Sequence, residues 1–211
     1  MRIMKELYTI GHSTHPFGVF LELLGMHGIT AVADVRSVPY SRFNPKYNRE
    51  TLKKSLEDAV IAYVWLGREL GPRGHDPICY VEAKSPYPLI EQTGLFKEGL
   101  ERLRRGKEKH RVAVVCAEKD PITCHRMILI CRALRREQLE ILHILEDGSL
   151  ESLADSKRRL VKTLKLEQMG LFETEEDLVE RAYDLQGQKF ASAGKGSPLG
   201  GKVQERWEKG R

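Results

Sequence analysis

The chain has 211 residues, of which 41% are hydrophobic and 31% are charged. This size and balance are typical of one globular domain with a short extension. No apolar run approaches the ~18 residues of a membrane span, and the N-terminus has no signal-peptide core, so we expect a cytoplasmic protein without membrane contact. The four cysteines are too few for a disulfide framework, and we expect them to be reduced thiols.

The net charge of +5 is unevenly distributed along the chain. Residues 187–211 contain six Lys or Arg and two Glu, a balance of +4, so the other 186 residues carry 29 basic and 28 acidic groups, or +1. A basic tail can hold a phosphate backbone without reading its sequence, and it can equally be a solubilising end. The charge of the tail is therefore compatible with nucleic-acid binding, whereas the charge of the rest of the chain does not indicate it.

Five short apolar runs alternate with longer amphipathic segments. The runs, each predicted to be a strand, are Leu7–Ile10, Thr30–Val35, Ile61–Leu66, Val112–Cys116 and Glu140–Leu145. Runs of this kind, rich in Val and Ile, are typical of strands buried on both faces of a parallel sheet. The predicted helices are Pro16–His27, Asn48–Val60, Phe96–Lys109 and Ile122–Gln138. The alternation predicts a doubly wound α/β fold with a mostly parallel sheet of about five strands and flanking helices.

Three further segments complete the predicted organisation. Residues 67–93 are rich in Gly, Pro and Tyr, which predicts a long loop with one short turn at most. We expect an α/β domain over residues 1–150 and a helical extension over 151–187 that packs on it, with Thr174 starting its second helix. Residues 188–211 are predicted to be a flexible basic tail, because they include a Gly- and Ser-rich stretch.

Polar residues follow at least four of the five predicted strands. In open α/β sheets, ligands bind beyond the carboxyl ends of the strands, where the connecting loops meet. The residues expected at this edge are His12, Ser13, Asp34, Arg36, Ser41, Arg42, Cys116 and Glu118, and the third strand is followed by Arg68 and Glu69. A glycine at position 11 would let backbone N–H groups of the first loop face an anion. His143, near the end of the fifth strand, is either a packed strand residue or a further member of this edge.

The stretch Cys124–His125–Arg126 stands where the fourth predicted helix begins. The helix dipole and the neighbouring Arg126 are expected to lower the pKa of the Cys124 thiol. His125 can serve as a base or a ligand, and Arg126 at a helix N-terminus suits a phosphate or carboxylate. The alternative is that Cys116 ends a core strand and these three residues only begin a helix.

A zinc site built from Cys116, Cys124 and His125 is a weaker alternative. The spacing C-x7-C-H is not usual for zinc fingers or ribbons. Neighbouring Cys and His side chains at the start of a helix are expected to splay apart, which makes joint ligation awkward. The sequence therefore requires no cofactor, although zinc stays open, and Cys79 and Cys131 are expected to be structural.

Several of these motifs together resemble a known family. They are TIGHS at Thr9–Ser13, DVRSVPYSR at Asp34–Arg42, CAE at Cys116–Glu118, CHR at Cys124–Arg126 and the segment His143–Ser149. The combination resembles the family known as domain of unknown function 488, over roughly residues 7–190. The resemblance implies the same α/β domain and points to the edge residues named above together with Cys124, His125 and Arg126. It implies no reaction.

The leading hypothesis is an enzyme whose cleft binds a phosphate- or nucleotide-bearing anion. Three arginines would hold the anion: Arg36, Arg42 and Arg126. The reactive groups would be Cys124 or Cys116 as nucleophile, His12 or His125 as general base, and Glu118 as acid or orienting group. This hypothesis fails if Arg36, Cys116 and Arg126 lie far apart or are fully buried in separate salt bridges.

Two other classes of function stay open. A nucleic-acid-binding accessory protein would use the basic tail together with the clusters Arg132–Arg136 and Lys157–Arg159, and its affinity would fall steeply with salt. A metal-dependent hydrolase or a metal sensor would use the cysteines and His125 as ligands. Metal analysis of the purified protein separates this last class from the other two.

Overall fold

A computed structural model describes residues 6–72, 87–168 and 172–194. Its sheet has six strands in the order β3-β2-β4-β1-β5-β6. The strands are β1 Glu6–Gly11, β2 Ala31–Asp34, β3 Ala62–Trp65, β4 Val112–Cys116, β5 Glu140–Ile144 and β6 Leu150–Ser152. The first five are parallel, and β6 is antiparallel to β5. The predicted α/β fold is thus confirmed, with six strands instead of about five.

The helices flank the sheet on both faces. The α-helices are α1 Phe17–Met26, α2 Arg49–Asp58, α3 Gly67–Leu70, α4 Tyr87–Gln92, α5 Gly94–Lys109, α6 Arg132–Leu134, α7 Leu153–Thr163 and α8 Glu175–Gly194. Two 3₁₀ turns, Pro45–Tyr47 and Pro121–Thr123, and a π-helical segment, Arg126–Cys131, complete the described structure. Among the described residues, no helix combines the length and apolar character that crossing a membrane would need.

Alternation along the central strands builds two hydrophobic cores. In β4, Val112, Val114 and Cys116 face the core that contains α5, α7, α8 and the π-helical segment. Ala113 and Val115 point the other way, into the core formed with α1 and α2. Successive side chains of a strand lie on opposite faces, so one apolar run supplies both cores and holds the ends of β1, β2 and β4 side by side.

Strand β3 differs from its prediction. The sequence indicated burial on both faces, but Ala62 and Val64 are exposed, while Tyr63 and Trp65 are half-buried. The reason is its place at the edge of the sheet, where it pairs only with β2. Its covered face still contributes to the site, because both aromatic side chains bond to the end of β2.

The sixth strand was not predicted. It follows β5 through a tight turn in which the Asp147 carboxylate accepts bonds from the backbone N–H and hydroxyl of Ser149. Gly148 has a φ of 82°, a conformation that favours glycine. An Asp-Gly pair between two apolar runs is a recognised hairpin signal, and it was present in the sequence.

The prediction of one continuous helix over Ile122–Gln138 is wrong. Asp120 caps the 3₁₀ turn by accepting a bond from the Ile122 N–H, and Cys124 then takes an extended conformation with φ −134° and ψ 142°. The π-helical segment starts only after His125, and α6 continues it. Residues 135–138 lie beyond α6. Single π-helical turns often occur at functional sites.

The C-terminal helices pack on the sheet domain. Thr174 caps α8 as predicted, since its hydroxyl accepts a bond from the Asp177 N–H while the Asp177 carboxylate accepts bonds from Thr174. Ala182 and Tyr183 are fully buried in the core of that face. Strand β6 pairs with β5 and is therefore part of the sheet, while the division of the chain into two units at residue 150 stays a prediction.

Two predicted irregular segments contain helix. Helix α8 continues to Gly194, into the predicted flexible tail, because Phe190 still packs against the core, with its ring tilted against that of Tyr87 at 6.4 Å between centroids. Helices α3 and α4 form the two ends of the predicted loop 67–93. The remainder of the tail, and residues 73–86 with Cys79, lie outside the described residues.

Candidate functional site

The predicted residues meet where the three adjacent strands β2, β4 and β1 end. Two loops are joined there, because the His12 N–H bonds to the Cys116 carbonyl and the Ser13 N–H to the Ala117 carbonyl, both at 2.9 Å. Gly11 makes this approach feasible, since a Cβ at this position would collide with the backbone carbonyl of Glu118. The strand ends therefore bring the first and fourth loops into direct contact.

Two thiols, an imidazole and a carboxylate converge at this point. The Glu118 Oε2 atom lies 2.7 Å from the Cys116 Sγ and 3.0 Å from the Cys124 Sγ. The His125 Nδ1 atom is 3.5 Å from the Cys116 Sγ and 3.9 Å from the Cys124 Sγ. The expectation that Cys124 and His125 splay apart is wrong, because the extended conformation of Cys124 turns both side chains to the same side. We call these four residues the Cys–His–Glu cluster.

The His125 ring is held in one orientation by the end of β2. Its Nε2 atom lies 3.1 Å from the Val35 carbonyl oxygen. A carbonyl can only accept, so Nε2 carries a proton and donates it. In the neutral ring the lone pair is then on Nδ1, the atom that faces the two thiols. The fold thus presents an acceptor nitrogen to both sulfur atoms.

Burial controls the proton affinity of the cluster. It raises the pKa of the Cys124 thiol well above its ordinary value, and the neighbouring Cys116 adds to that effect. The expected lowering by Arg126 is present but is outweighed by burial. Burial also raises the pKa of the Glu118 carboxyl, but bonds from the two thiols and the nearby His125 outweigh it, so this pKa is lowered. Burial lowers the pKa of His125, but Cys124 and Glu118 outweigh it and the pKa is raised.

Arg126 does not face the cleft as predicted. Its side chain is fully buried, and its guanidinium donates to the backbone carbonyls of Glu118 and Lys119. Its backbone N–H lies 3.4 Å from the Cys124 Sγ. Arg126 therefore fixes the loop after β4 and supports a sulfur atom instead of clamping an anion.

Asp34, Arg36 and His12 form a buried chain of hydrogen bonds beside the cluster. The Arg36 guanidinium donates from Nε and Nη2 to the Asp34 carboxylate at 2.8 and 2.6 Å, and its Nη1 lies 3.0 Å from the His12 Nε2. Because His12 Nδ1 faces the Ser13 carbonyl at 2.9 Å, Nδ1 carries the proton and Nε2 accepts from Arg36. Tyr47 stacks on the His12 ring at 4.1 Å.

The pKa values agree with this assignment. Burial, and next the Arg36 charge, lower the pKa of His12 to about 4, so the ring is neutral at pH 7. A general base works best when its pKa is near the working pH. His12 is thus better suited to orienting Arg36 than to the expected role of general base.

The anion clamp predicted from sequence is only partly assembled. Arg36 lines the cleft but is already paired with Asp34. The N–H groups of His12 and Ser13, expected to face an anion, bond instead to the loop after β4. Ser41 lines the cleft, where its hydroxyl accepts bonds from the N–H groups of Phe43 and Asn44. Arg42 is exposed and lies outside the cleft lining.

A cleft of about 440 Å³ opens beside these residues. His12, Arg36 and Glu118 are among its lining residues, and Glu118 is the member of the Cys–His–Glu cluster that also belongs to this lining. Tyr40 and Phe43, which are 54% and 96% exposed, also line it. A site of this volume falls in the range of about 300–1,000 Å³ that is usual for small-molecule pockets.

A larger depression of about 550 Å³ lies near the end of β5. Its charged side chains are largely paired with one another, since Arg159 bonds to Asp120 and Lys119 to Glu146. No cysteine or histidine lines it. We therefore place the candidate site in the smaller cleft, where the reactive side chains are.

Two other predicted residues are packing residues. His143 is fully buried, with its Nδ1 2.7 Å from the Thr9 hydroxyl. Cys131 is buried within the π-helical segment, and burial raises its pKa to about 12. The structure keeps both outside the Cys–His–Glu cluster.

A comparison with known families identifies the family of this chain. The family described as domain of unknown function DUF488 matches residues 17–133, more than half of the chain. The protein belongs to the DUF488 family. The match includes Asp34, Arg36 and the Cys–His–Glu cluster, while His12 and Ser13 lie before it. No curated protein and no solved structure matches this DUF488 protein significantly.

Sequence reasoning missed the aromatic residues of the cleft. Tyr47 supports His12, while Tyr40 and Phe43 form part of the rim. All three lie in the loop 37–48, directly after β2. A usable signal was present, because this loop places three aromatic residues among Pro, Ser and Asn at the edge where ligands bind.

Proposed function

We propose that this DUF488 protein is an enzyme that acts on a nucleotide moiety held in the cleft beside the Cys–His–Glu cluster. The carrying observation is the lining of the cleft, which includes the exposed aromatic side chains of Tyr40 and Phe43 together with the cationic residues Arg36 and Lys119. A nucleotide combines a flat apolar base with an anionic phosphate. The aromatic residues offer a surface for the base, and the cationic residues carry the sign of charge that suits the phosphate.

The rim favours a base. An exposed phenylalanine side chain lacks the roughly 2 kcal/mol of stabilisation that its burial would provide. The loop that carries Phe43 is nevertheless held by specific hydrogen bonds. Ser41 accepts two of its backbone N–H groups, and the Asn44 amide donates to the Ser13 carbonyl. A well-held, solvent-facing aromatic ring is the kind of surface on which nucleobases stack, worth about 1–3 kcal/mol per base.

The charge around the rim favours a phosphate. The loop 37–48 carries Arg42 and Lys46 and no acidic residue. Both side chains are exposed, whereas Arg36 within the cleft is already paired with Asp34, and the Glu50 carboxylate beside the loop accepts a bond from the Tyr40 hydroxyl. Arg42 would meet a phosphate at the rim and not within the cleft. These cations give the loop the sign of charge that an anionic ligand needs.

A thiol nucleophile receives less support than the sequence indicated. Cys116 and Cys124 are buried, and the raised pKa of Cys124 keeps its thiol protonated at neutral pH. The thiolate is the reactive form of a cysteine. Glu118 lines the cleft and its pKa is lowered, so its carboxylate is ionised at neutral pH and is better suited to orienting a substrate group than to acting as a general base.

Nucleotide binding tests the proposal directly. The probes are a nucleoside monophosphate and a short single-stranded oligonucleotide, titrated by calorimetry into the full chain. We expect Phe43→Ala to weaken binding by about 5- to 150-fold, which corresponds to the stacking energy of one base. Affinity should also rise at low salt, because phosphate contacts release counterions.

The matched control is Phe172→Ala. Phe172 is 95% exposed, as Phe43 is, but it lies between α7 and α8 and outside the cleft lining. The Phe172→Ala substitution removes the same apolar surface without touching the candidate site. The affinity of this variant for both probes should therefore equal that of the wild type. Equal affinity of Phe43→Ala and wild type, or no binding of either probe, would contradict the proposal.

A further inference from the structure

The four side chains of the Cys–His–Glu cluster offer the donor set of a metal centre. One ligand atom from each residue lies within 4.8 Å of all the others. Two sulfurs, an imidazole nitrogen and a carboxylate oxygen are the ligand types that zinc accepts, in a tetrahedral arrangement. The cluster is drawn from the end of β4, the loop after it and the residues before the π-helical segment.

The two sulfur–nitrogen spacings match those around a tetrahedral ion. With Zn–S near 2.3 Å and Zn–N near 2.0–2.1 Å, a sulfur and a nitrogen on one ion stand about 3.6 Å apart. The His125 Nδ1 atom lies 3.5 Å from one sulfur and 3.9 Å from the other. The Glu118 oxygen is closer to both sulfurs than a shared ion requires, so this carboxylate would move outward, towards the cleft, on binding.

The surroundings of the donors are those of a ligating histidine. Metal-bound imidazoles almost always donate their second N–H to a carbonyl or carboxylate, which fixes the ring. His125 has such a partner in the Val35 carbonyl, and its Nδ1 faces the sulfurs. The backbone N–H of Arg126 points at the Cys124 sulfur, a contact that would stabilise a thiolate.

A dication can replace the two thiol protons without changing the net charge of the cluster. Glu118 brings a carboxylate to two buried sulfurs, whose S–H groups are weak donors. A dication would be neutralised by two thiolates, with the two thiol protons released to solvent as metal binding requires.

We propose that Cys116, Cys124 and His125 bind a zinc ion, and that the Glu118 carboxylate lies at the fourth position, between the ion and the cleft. Three protein ligands with an exchangeable fourth position are typical of catalytic zinc sites. Glu118 lines the cleft, so water or substrate would approach the ion from that side. The site would thus supply the reactive centre for the proposed function, although metal binding is tested without reference to any nucleotide.

Metal content and cobalt spectroscopy of the full chain test the site. We expect purified protein to carry about one zinc per chain, and Co²⁺ exchanged into it to give thiolate charge-transfer absorption equal to that of a two-thiolate reference complex. Cys116→Ser and Cys124→Ser should each lower bound zinc at least tenfold. Glu118→Gln should retain zinc, with affinity lowered about tenfold and with altered cobalt d–d bands.

Cys131→Ser is the matched control. Cys131 is a third buried cysteine, in the neighbouring π-helical segment and outside the cluster. This variant should keep the wild-type zinc content and cobalt spectrum, and circular dichroism checks that each variant is folded. If a ligand variant fails to fold, the wild-type cobalt spectrum still decides the question.

Two results would overturn the zinc site. One is folded wild-type protein that takes up neither zinc nor cobalt stoichiometrically at neutral pH. The other is full zinc content in folded Cys116→Ser or Cys124→Ser. Either result could occur while the cleft still binds nucleotide, and a lack of nucleotide binding could occur with zinc fully bound. The failures of the two proposals are therefore distinguishable.

Discussion

Arg36 and Arg126 both lie near the ligand edge, yet neither guanidinium is free of protein partners. Arg36 is held by the Asp34 carboxylate and by His12, and Arg126 by two backbone carbonyls. The sequence placed both arginines correctly at the edge where a ligand would bind. In the folded protein, however, both are buried and bonded to protein groups instead of an anion. An arginine on a solvent-facing loop, such as Arg42, keeps its charge available.

His143 supplies a test of how burial sets a pKa. Burial, followed by the charges of Arg126 and Arg159, lowers its pKa to about 3, while Asp120 opposes them. The ordinary value is about 6.5, so the unfolded chain takes up this proton at a higher pH than the folded protein does. The stability that neutral His143 contributes is complete above pH 6.5 and is lost as the pH falls from 6.5 towards 3.

Replacing His143 with Asn should flatten this pH dependence. Each pH unit in the window is worth about 1.4 kcal/mol for one such group, so the wild type should lose roughly 2 kcal/mol more than His143→Asn between pH 6.5 and pH 5. Urea denaturation at the two pH values measures the difference. Ile141→Val, a buried change in the same strand, should shift both values equally, and an unchanged pH dependence in His143→Asn would contradict the assignment.

At the scale of elements, the site depends on the loop after β4. Gly11 lets β1 approach this loop, and the N–H groups of His12 and Ser13 bond to its carbonyls. Arg126 holds the next two carbonyls from the opposite side. The loop that carries Glu118 is therefore fixed by backbone contacts from two elements, although the Glu118 residue itself is exposed.

Arg126→Ala should destabilise the protein strongly. It removes a fully buried side chain together with its hydrogen bonds to the carbonyls of Glu118 and Lys119, and a hydrogen bond from a charged donor is worth about 1.5–3 kcal/mol. We expect a total loss of about 3 kcal/mol or more in the free energy of unfolding, measured by urea titration. Arg42→Ala removes an exposed arginine and should stay within about 0.5 kcal/mol of wild type. Similar effects for the two variants would show that Arg126 does not hold the loop.

At the scale of the whole molecule, α8 completes the core on one face of the sheet. Ala182 and Tyr183 are fully buried there, and Arg132 pairs with Glu180 and Asp184 of α8. Without this helix, apolar residues of the core would be exposed and the buried Arg132 would lose its partners. The helix is thus part of the folded unit that positions the π-helical segment.

Truncation after Gln168 should abolish cooperative folding. Exposure of the core and loss of the partners of Arg132 together exceed the typical margin of stability, which is about 5–15 kcal/mol. Differential scanning calorimetry of the truncated chain should show no cooperative transition. Glu175→Ala, which removes an exposed charge from the same helix, should leave the transition in place. A sharp transition within a few degrees of the wild type would contradict this role of α8.

Most of the fold was predictable from the sequence because its central strands are uninterrupted apolar runs. Val112–Cys116 was predicted to the residue, and the meeting of polar residues at one edge followed from the parallel arrangement. The exposed edge position of β3 and the extended conformation of Cys124 depend on long-range packing, which a local pattern does not contain. The same is true of Arg126, whose carbonyl partners lie in a preceding loop.

The central claim is that the Cys–His–Glu cluster and the cleft form one site, and anomalous diffraction from a crystal of the full chain tests it most directly. Data collected above and below the zinc absorption edge should show one peak within bonding distance of the Cys116 Sγ, the Cys124 Sγ and the His125 Nδ1. The Glu118 carboxylate should lie on the cleft side of that peak. The contrary result is a map without a zinc peak, in which both thiols remain hydrogen-bonded to Glu118.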